Sequence, residues 1–227
     1  MSQHALCQGL PLFREVPHQL LTSLLADHRP FEAAADHPLI VQGDWSDSVF
    51  LLLNGLAKVR RFSFSGQEVT VALLGPGDLF GELAMLFRQD QRTADVVALV
   101  PSSGLKLRRS TFEGLLRTSP ELSFALAVHL GRRLMAQGHR LGLAQEAATT
   151  RVLAALMELA RSASLEHDPL AVIPPLPQRE IAILAGLARA TTSSILSRLR
   201  AKGVVLETKE GLRIASLDPL QTLGLLS

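Results

Sequence analysis

Between about residues 31 and 109, apolar runs of four to six residues are punctuated by turn signals: Phe50-Leu-Leu-Leu before Asn54-Gly55, and Leu73-Leu74 before Gly75-Pro-Gly-Asp78. Short strand-like runs broken in this way predict an all-β roll or barrel, with Asp95–Val100 as one of its strands. Ahead of it, leucines at helical spacing in residues 10–30 predict one or two short packing helices. The pattern changes at Ser119-Pro120-Glu121, where Ser can cap, Pro suits the first helical turn and Glu favours the positive helix end. Heptads written from Ala127 place Ala127, Leu130, Leu134, Gln137, Leu141, Ala144 and Ala148 in one seam. Two apolar positions per heptad make a coiled-coil stripe, narrower than the face a helix turns to its own core, so a parallel partner helix is expected. An amphipathic helix lying on its own barrel is the competing reading.

A second helix is predicted over 149–164, followed by a loop carrying Pro169, Pro174, Pro175 and Pro177. The stretch Gln178 to Leu199 then reads as a helix-turn-helix, with Ile181, Ala185, Leu187, Ile195 and Leu199 as interior candidates. Ala182 keeps the crossing tight, Gly186 serves the turn, and Thr192 stands where a branched apolar residue would fit. Lys202-Gly203-Val-Val-Leu and Glu210-Gly211-Leu-Arg-Ile add a β-wing. The expected organisation is α+β: an N-terminal β-roll of the double-stranded β-helix type over 1–118, a dimerisation helix over 119–147, and a winged helix-turn-helix over 148–227.

At 227 residues and 47% apolar, the chain can bury enough surface for two small domains. The single Cys7 excludes an internal disulfide and a cysteine-only iron–sulfur or zinc site. The amino terminus lacks a basic region followed by a long apolar core, and no stretch of about eighteen uncharged residues could span a bilayer, so a cytoplasmic protein without a membrane partner is expected. Residues 178–213 hold seven Lys or Arg against three Glu, a net +4, which leaves −2 on the rest of a +2 chain. A basic terminal module on a slightly acidic body fits a polyanion partner such as double-stranded DNA.

Residues 80–93 carry the candidate binding chemistry. Gly81 permits close backbone approach, the amides of Leu83 and Ala84 open a helical turn toward an anion, and Arg92 supplies a charged fork with Thr93 beside it. Glu82 is placed to accept from a ribose hydroxyl, so the loop suits a phosphorylated sugar. Metal-dependent barrel enzymes use clustered histidines, but the histidines stand at 4, 18, 28, 37, 129, 139 and 167, leaving none between Pro38 and Val128. No catalytic residues and no metal are expected.

With Phe80-Gly-Glu-Leu, Arg92-Thr93 and the helix-turn-helix in one chain, the sequence resembles the cyclic AMP receptor protein and fumarate-nitrate regulator family of bacterial transcription factors. The resemblance implies a homodimer paired through 119–147, cyclic AMP as effector in the roll, and RNA polymerase as a further partner. The family's adenine-touching Thr and Ser are here Gln137 and Gly138; the Gln amide can still match the N6 and N7 edge of adenine. Arg189, opening the second helix of the motif, is the expected guanine reader by geometry and by resemblance. The family has Glu and Arg where this chain has Ala190 and Ser194, which implies a different operator. Thr191, Ser193, Ser197, Arg179 and Arg198 are candidates for phosphate contact. A relative of the same fold that senses haem, redox state or cyclic di-GMP, or that binds no effector, stays open as an alternative.

Overall fold

The computed structural model describes residues 3–226. In chain order the elements are α1 (Gln3–Gln8), α2 (His18–Leu25), β1 (Arg29–Ala33), β2 (Pro38–Ile40), β3 (Ser48–Asn54), β4 (Ala57–Phe62), β5 (Glu68–Leu74), β6 (Leu79–Phe80), α3 (Glu82–Leu86), β7 (Asp95–Ala98), β8 (Ser102–Arg108), α4 (Arg109–Thr118), α5 (Pro120–Leu143), α6 (Ala148–Ala163), α7 (Gln178–Ala185), α8 (Arg189–Ala201), β9 (Val205–Thr208), β10 (Gly211–Ile214) and α9 (Asp218–Thr222). By Cα proximity the chain forms two compact units: residues up to 59 with 74–136, and residues 60–73 with the chain from 137 onward.

The roll consists of two four-stranded antiparallel sheets, ordered β1-β8-β3-β6 and β2-β7-β4-β5. Strand β3 sits inside its sheet and is buried along five consecutive residues, which is why it reads as an unbroken apolar run and not as an alternation. Phe50 on β3 lies opposite Phe80 on β6, and their rings stack at 5.1 Å with Phe31 edge-on to both. That aromatic group, with Ile40, Leu52, Leu74 and Val96, fills one core. A second core joins Phe13 and Leu21 to Leu51, Leu79, Leu105 and Phe112, and Leu122 and Leu126 of α5 complete it. Gly104 on β8 pairs with both Phe31 and Leu52, and a Cβ there would stand 2.1 Å from the Leu51 carbonyl oxygen.

Helix α5 begins where its cap residues place it: the Ser119 hydroxyl accepts from the Leu122 amide at 3.2 Å, and Pro120 opens the first turn. Its seam is rotated from the heptad expectation. Leu134 and Leu141 are exposed, but Leu130 packs on the roll core, and the Gln137 amide donates to the Val71 carbonyl at 3.1 Å. Phe124, Val128 and Met135 join the exposed side instead. A straight helix drifts against a seven-residue repeat, and the core competes for the large residues, so a strict two-position stripe does not hold. The helix also stops at Leu143, which leaves Ala144 in the turn and Ala148 as the first residue of α6.

In the C-terminal unit, α6 buries Val152, Leu153, Leu156 and Leu159. Ile181, Ala182 and Ala185 of α7 and Ile195, Leu196 and Leu199 of α8 are buried as an interior for the pair, whereas Leu187 is half-buried. Thr192 fits without strain because it is fully buried and its hydroxyl donates to the Ala188 carbonyl at 3.2 Å. Strands β9 and β10 form the expected wing, pinned by Ile173, which exchanges both backbone bonds with Leu212. A Gly104→Ala substitution would press its methyl against the Leu51 carbonyl and the Phe31 ring, so urea unfolding is expected to show a loss of at least about 2 kcal/mol.

Candidate functional site

Six of the seven residues expected to bind an effector line one cavity of about 50 Å³: Gly81, Glu82, Leu83, Ala84, Arg92 and Thr93. Ile40, Val59, Phe80 and Val96 give it apolar walls. Gly81 is required twice over. It holds the left-handed backbone (φ 79°) that ends β6 and opens α3, and a Cβ would meet the Arg92 Nη1 at 2.7 Å. The Leu83 and Ala84 amides belong to the first turn of α3 and therefore have no intrahelical acceptor.

Arg92 is only 6% exposed. Its Nη1 donates to the carbonyls of Ser48 at 2.8 Å and Gly81 at 3.1 Å, its Nη2 donates to the Ser48 hydroxyl at 3.0 Å, and the guanidinium lies 5.5 Å from the centre of the Phe50 ring. Burial pulls its pKa down, opposed by the Asp47 carboxylate. Glu82 is equally removed from water, and burial pushes its carboxyl up while Arg133, donating Nη1 at 3.1 Å, opposes that rise.

Arg133 is a lining residue that the sequence pattern did not single out. With His129 it forms one row of α5: the His129 Nε2 lies 3.1 Å from the Leu79 carbonyl, its Nδ1 lies 3.5 Å from Asp78, and Arg133 also donates to Leu79. The spacing of 129, 133 and 137 was the available signal, since polar side chains four apart on an apolar helix share a face. Gln137, the seventh expected residue, is not among the cavity walls; its amide is engaged with Val71.

The expected DNA-contacting residues fall on one side of α8. Arg189, Ala190, Thr191, Ser193, Ser194, Ser197 and Arg198 are exposed, and the buried positions between them seat the helix. Arg179 on α7 is exposed too, with its Nε donating to the buried Glu180 at 3.0 Å. Among the described residues, no helix is long and apolar enough to cross a membrane, and no group of three or more His, Cys, Asp and Glu is arranged to hold a metal ion.

Family models for a cyclic nucleotide-binding domain and a Crp-like helix-turn-helix domain match residues 30–119 and 150–223. The chain is 34% identical to the Cyclic AMP receptor protein of Thermus thermophilus, over 87% of this chain and 89% of that one. It is 28% identical to the CRP-like cAMP-activated global transcriptional regulator of Mycobacterium tuberculosis, over 88% and 94%. Among solved structures, FixK2 from Bradyrhizobium japonicum shares the fold at 20% identity and a TM-score of 0.72, covering 86% of this chain and 96% of its own.

Burial, then the Arg133 charge, brings the His129 imidazole down from 6.5 to about 4 in the folded protein. The folded state therefore resists a proton that the unfolded chain takes up: stability from this group is complete above pH 6.5 and declines as pH falls toward 4. Chemical denaturation is expected to show about 3 kcal/mol of acid-induced loss in this window, and His129→Gln should flatten it.

Proposed function

The chain belongs to the cyclic AMP receptor protein and fumarate-nitrate regulator family of transcription regulators, and from that premise we propose that it is a homodimeric DNA-binding regulator controlled by cyclic AMP bound in the roll. It is not an enzyme; both matched domains are those of transcription regulators. The observation that carries the effector reading is the buried Arg92 guanidinium, held against one cavity together with Glu82 and the first turn of α3.

In this reading Arg92 and the amides of Leu83 and Ala84 take the cyclic phosphate, Glu82 takes the ribose hydroxyl, and Thr93 assists. Arg92 exchanges carbonyl acceptors for phosphate oxygens, a stronger charge-assisted pairing, and Glu82 shares Arg133 with the ligand. Gln137 senses the base after giving up Val71.

Dimerisation is assigned to α5 within residues 119–147. Its exposed Phe124, Val128, Leu134, Met135 and Leu141 are an apolar side that a partner helix would remove from water, and Gly131 and Gly138 would let the two backbones come close. The remaining modules are the roll over 1–118 and the DNA-binding region over 148–227. Paired α8 helices then enter successive major grooves, with Arg189 on a guanine, Ala190 and Ser194 toward the same base edges, and Arg179, Thr191, Ser193 and Arg198 on the backbone. RNA polymerase is the downstream partner, and the cytoplasm is where the DNA is met.

Calorimetry is expected to give saturable heat with cyclic AMP for the wild type and none for Arg92→Ala that circular dichroism shows to be folded; equal heats would defeat the pocket assignment. Cyclic GMP and cyclic di-GMP complete the panel and decide the base. Operator affinity should fall with salt at a log–log slope of roughly −5, for about six phosphates per dimer. Arg189→Ala should lose about 1–3 kcal/mol and relax preference at one base pair, both read by competition binding.

A further inference from the structure

We propose that a crevice within the C-terminal unit, between the end of α5, helix α6 and the end of α7, is a second small-molecule site that takes a short organic carboxylate with an apolar body. The crevice has a volume of about 170 Å³ and shares no residue with the cavity that Arg92 lines. Its polar wall is Arg140, Arg151 and Glu158; Leu143, Ala155 and Leu184 contribute its apolar wall.

The charges do not balance. Arg140 and Arg151 bring two guanidinium groups against the single carboxylate of Glu158, and one monoanion would neutralise the site. Nor are the hydrogen bonds complete. Arg140 Nη2 is committed to the Val71 carbonyl, but Nη1, buried and 3.2 Å from Glu158 Oε1, has no acceptor in hydrogen-bonding geometry. A buried donor whose ion-pair partner lies outside hydrogen-bonding geometry leaves room for a further acceptor. Arg151 donates Nη2 to the Gly186 carbonyl at 2.6 Å, which steadies that guanidinium at the crevice. A water molecule would answer Nη1 but would leave both the extra charge and the apolar wall unmet.

Size and surface narrow the ligand. An apolar cavity of ~150 Å³ accepts a benzene-sized body, so this volume suits one ring or a short chain carrying its carboxylate toward the two arginines. Such a ligand would touch the end of α5, helix α6 and the residues that lead into the turn before α8. It would give the DNA-binding unit a chemical input of its own, independent of what the roll binds.

Sodium benzoate is the probe, titrated into the full chain at constant ionic strength and followed by ligand-observed NMR. Saturable binding with a dissociation constant on the order of 1 mM is expected for so small a ligand. Benzamide, which keeps the ring and lacks the charge, should bind at least tenfold more weakly. Arg151→Met should weaken benzoate at least tenfold, and Ala155→Leu, which fills the crevice, should do the same. A non-saturating response, equal binding of benzoate and benzamide, or unchanged binding in the folded variants would overturn the proposal; the benzamide comparison decides even if a variant does not fold.

Discussion

A guanidinium almost fully withdrawn from water can remain charged only if its donors find acceptors, and the Arg92 side chain finds them in parts of the chain distant in sequence. Ser48 on β3 supplies a carbonyl and a hydroxyl, and Gly81 supplies a second carbonyl. The Arg92 backbone adds two more ties, receiving the Gly43 amide and donating to the Asp44 carbonyl. One residue thus fixes the loop after β2, the start of β3 and the entrance to α3. The cavity beside α3 is lined by the same group, and an anion entering it would offer that group a better partner than a carbonyl does. In the proposed function, the same acceptors that hold Arg92 in place are the ones a bound anion would replace.

Helix α5 meets two demands that a simple amphipathic helix does not. Leu122 and Leu126 complete the roll core, while Phe124, Val128 and Met135 stay exposed on another side. Between these sides runs a polar row, His129 and Arg133, set against Asp78, Leu79 and Glu82. Charged groups largely withdrawn from water cost desolvation unless they are paired, so the row holds the helix at one rotation beside the cavity. A change in the partners of Glu82 would be felt directly by Arg133, and through it by the helix.

The local rules of the chain were enough for much of this molecule. Alternating apolar runs and Asn-Gly or Pro-Gly-Asp turns marked the roll; Ser119-Pro120-Glu121 marked the start of α5; small and apolar residues at fixed offsets marked the α7–α8 pair, down to a buried Thr192. These features are legible because they are short-range: a cap, a turn or a helix crossing is set by residues a few positions apart. The grouping of Gly81, Glu82, Leu83, Ala84, Arg92 and Thr93 was legible for a similar reason, since only the end of α3 and a short loop separate its two halves.

What the chain alone could not fix were the contacts made across long separations. Arg133 joins Glu82 from 51 residues away, and Gln137 finds Val71 from 66 away. Both follow from the rotation of α5, which depends on how its apolar sides are shared between its own core and the surface. A seven-residue repeat on paper has no knowledge of that competition, and so it placed Leu130 and Gln137 on the outer seam. Sequence therefore determined which elements exist and which residues of one small loop line a common cavity. Only tertiary packing decided which side chains face that loop, because burial and pairing of charge are settled where distant segments meet.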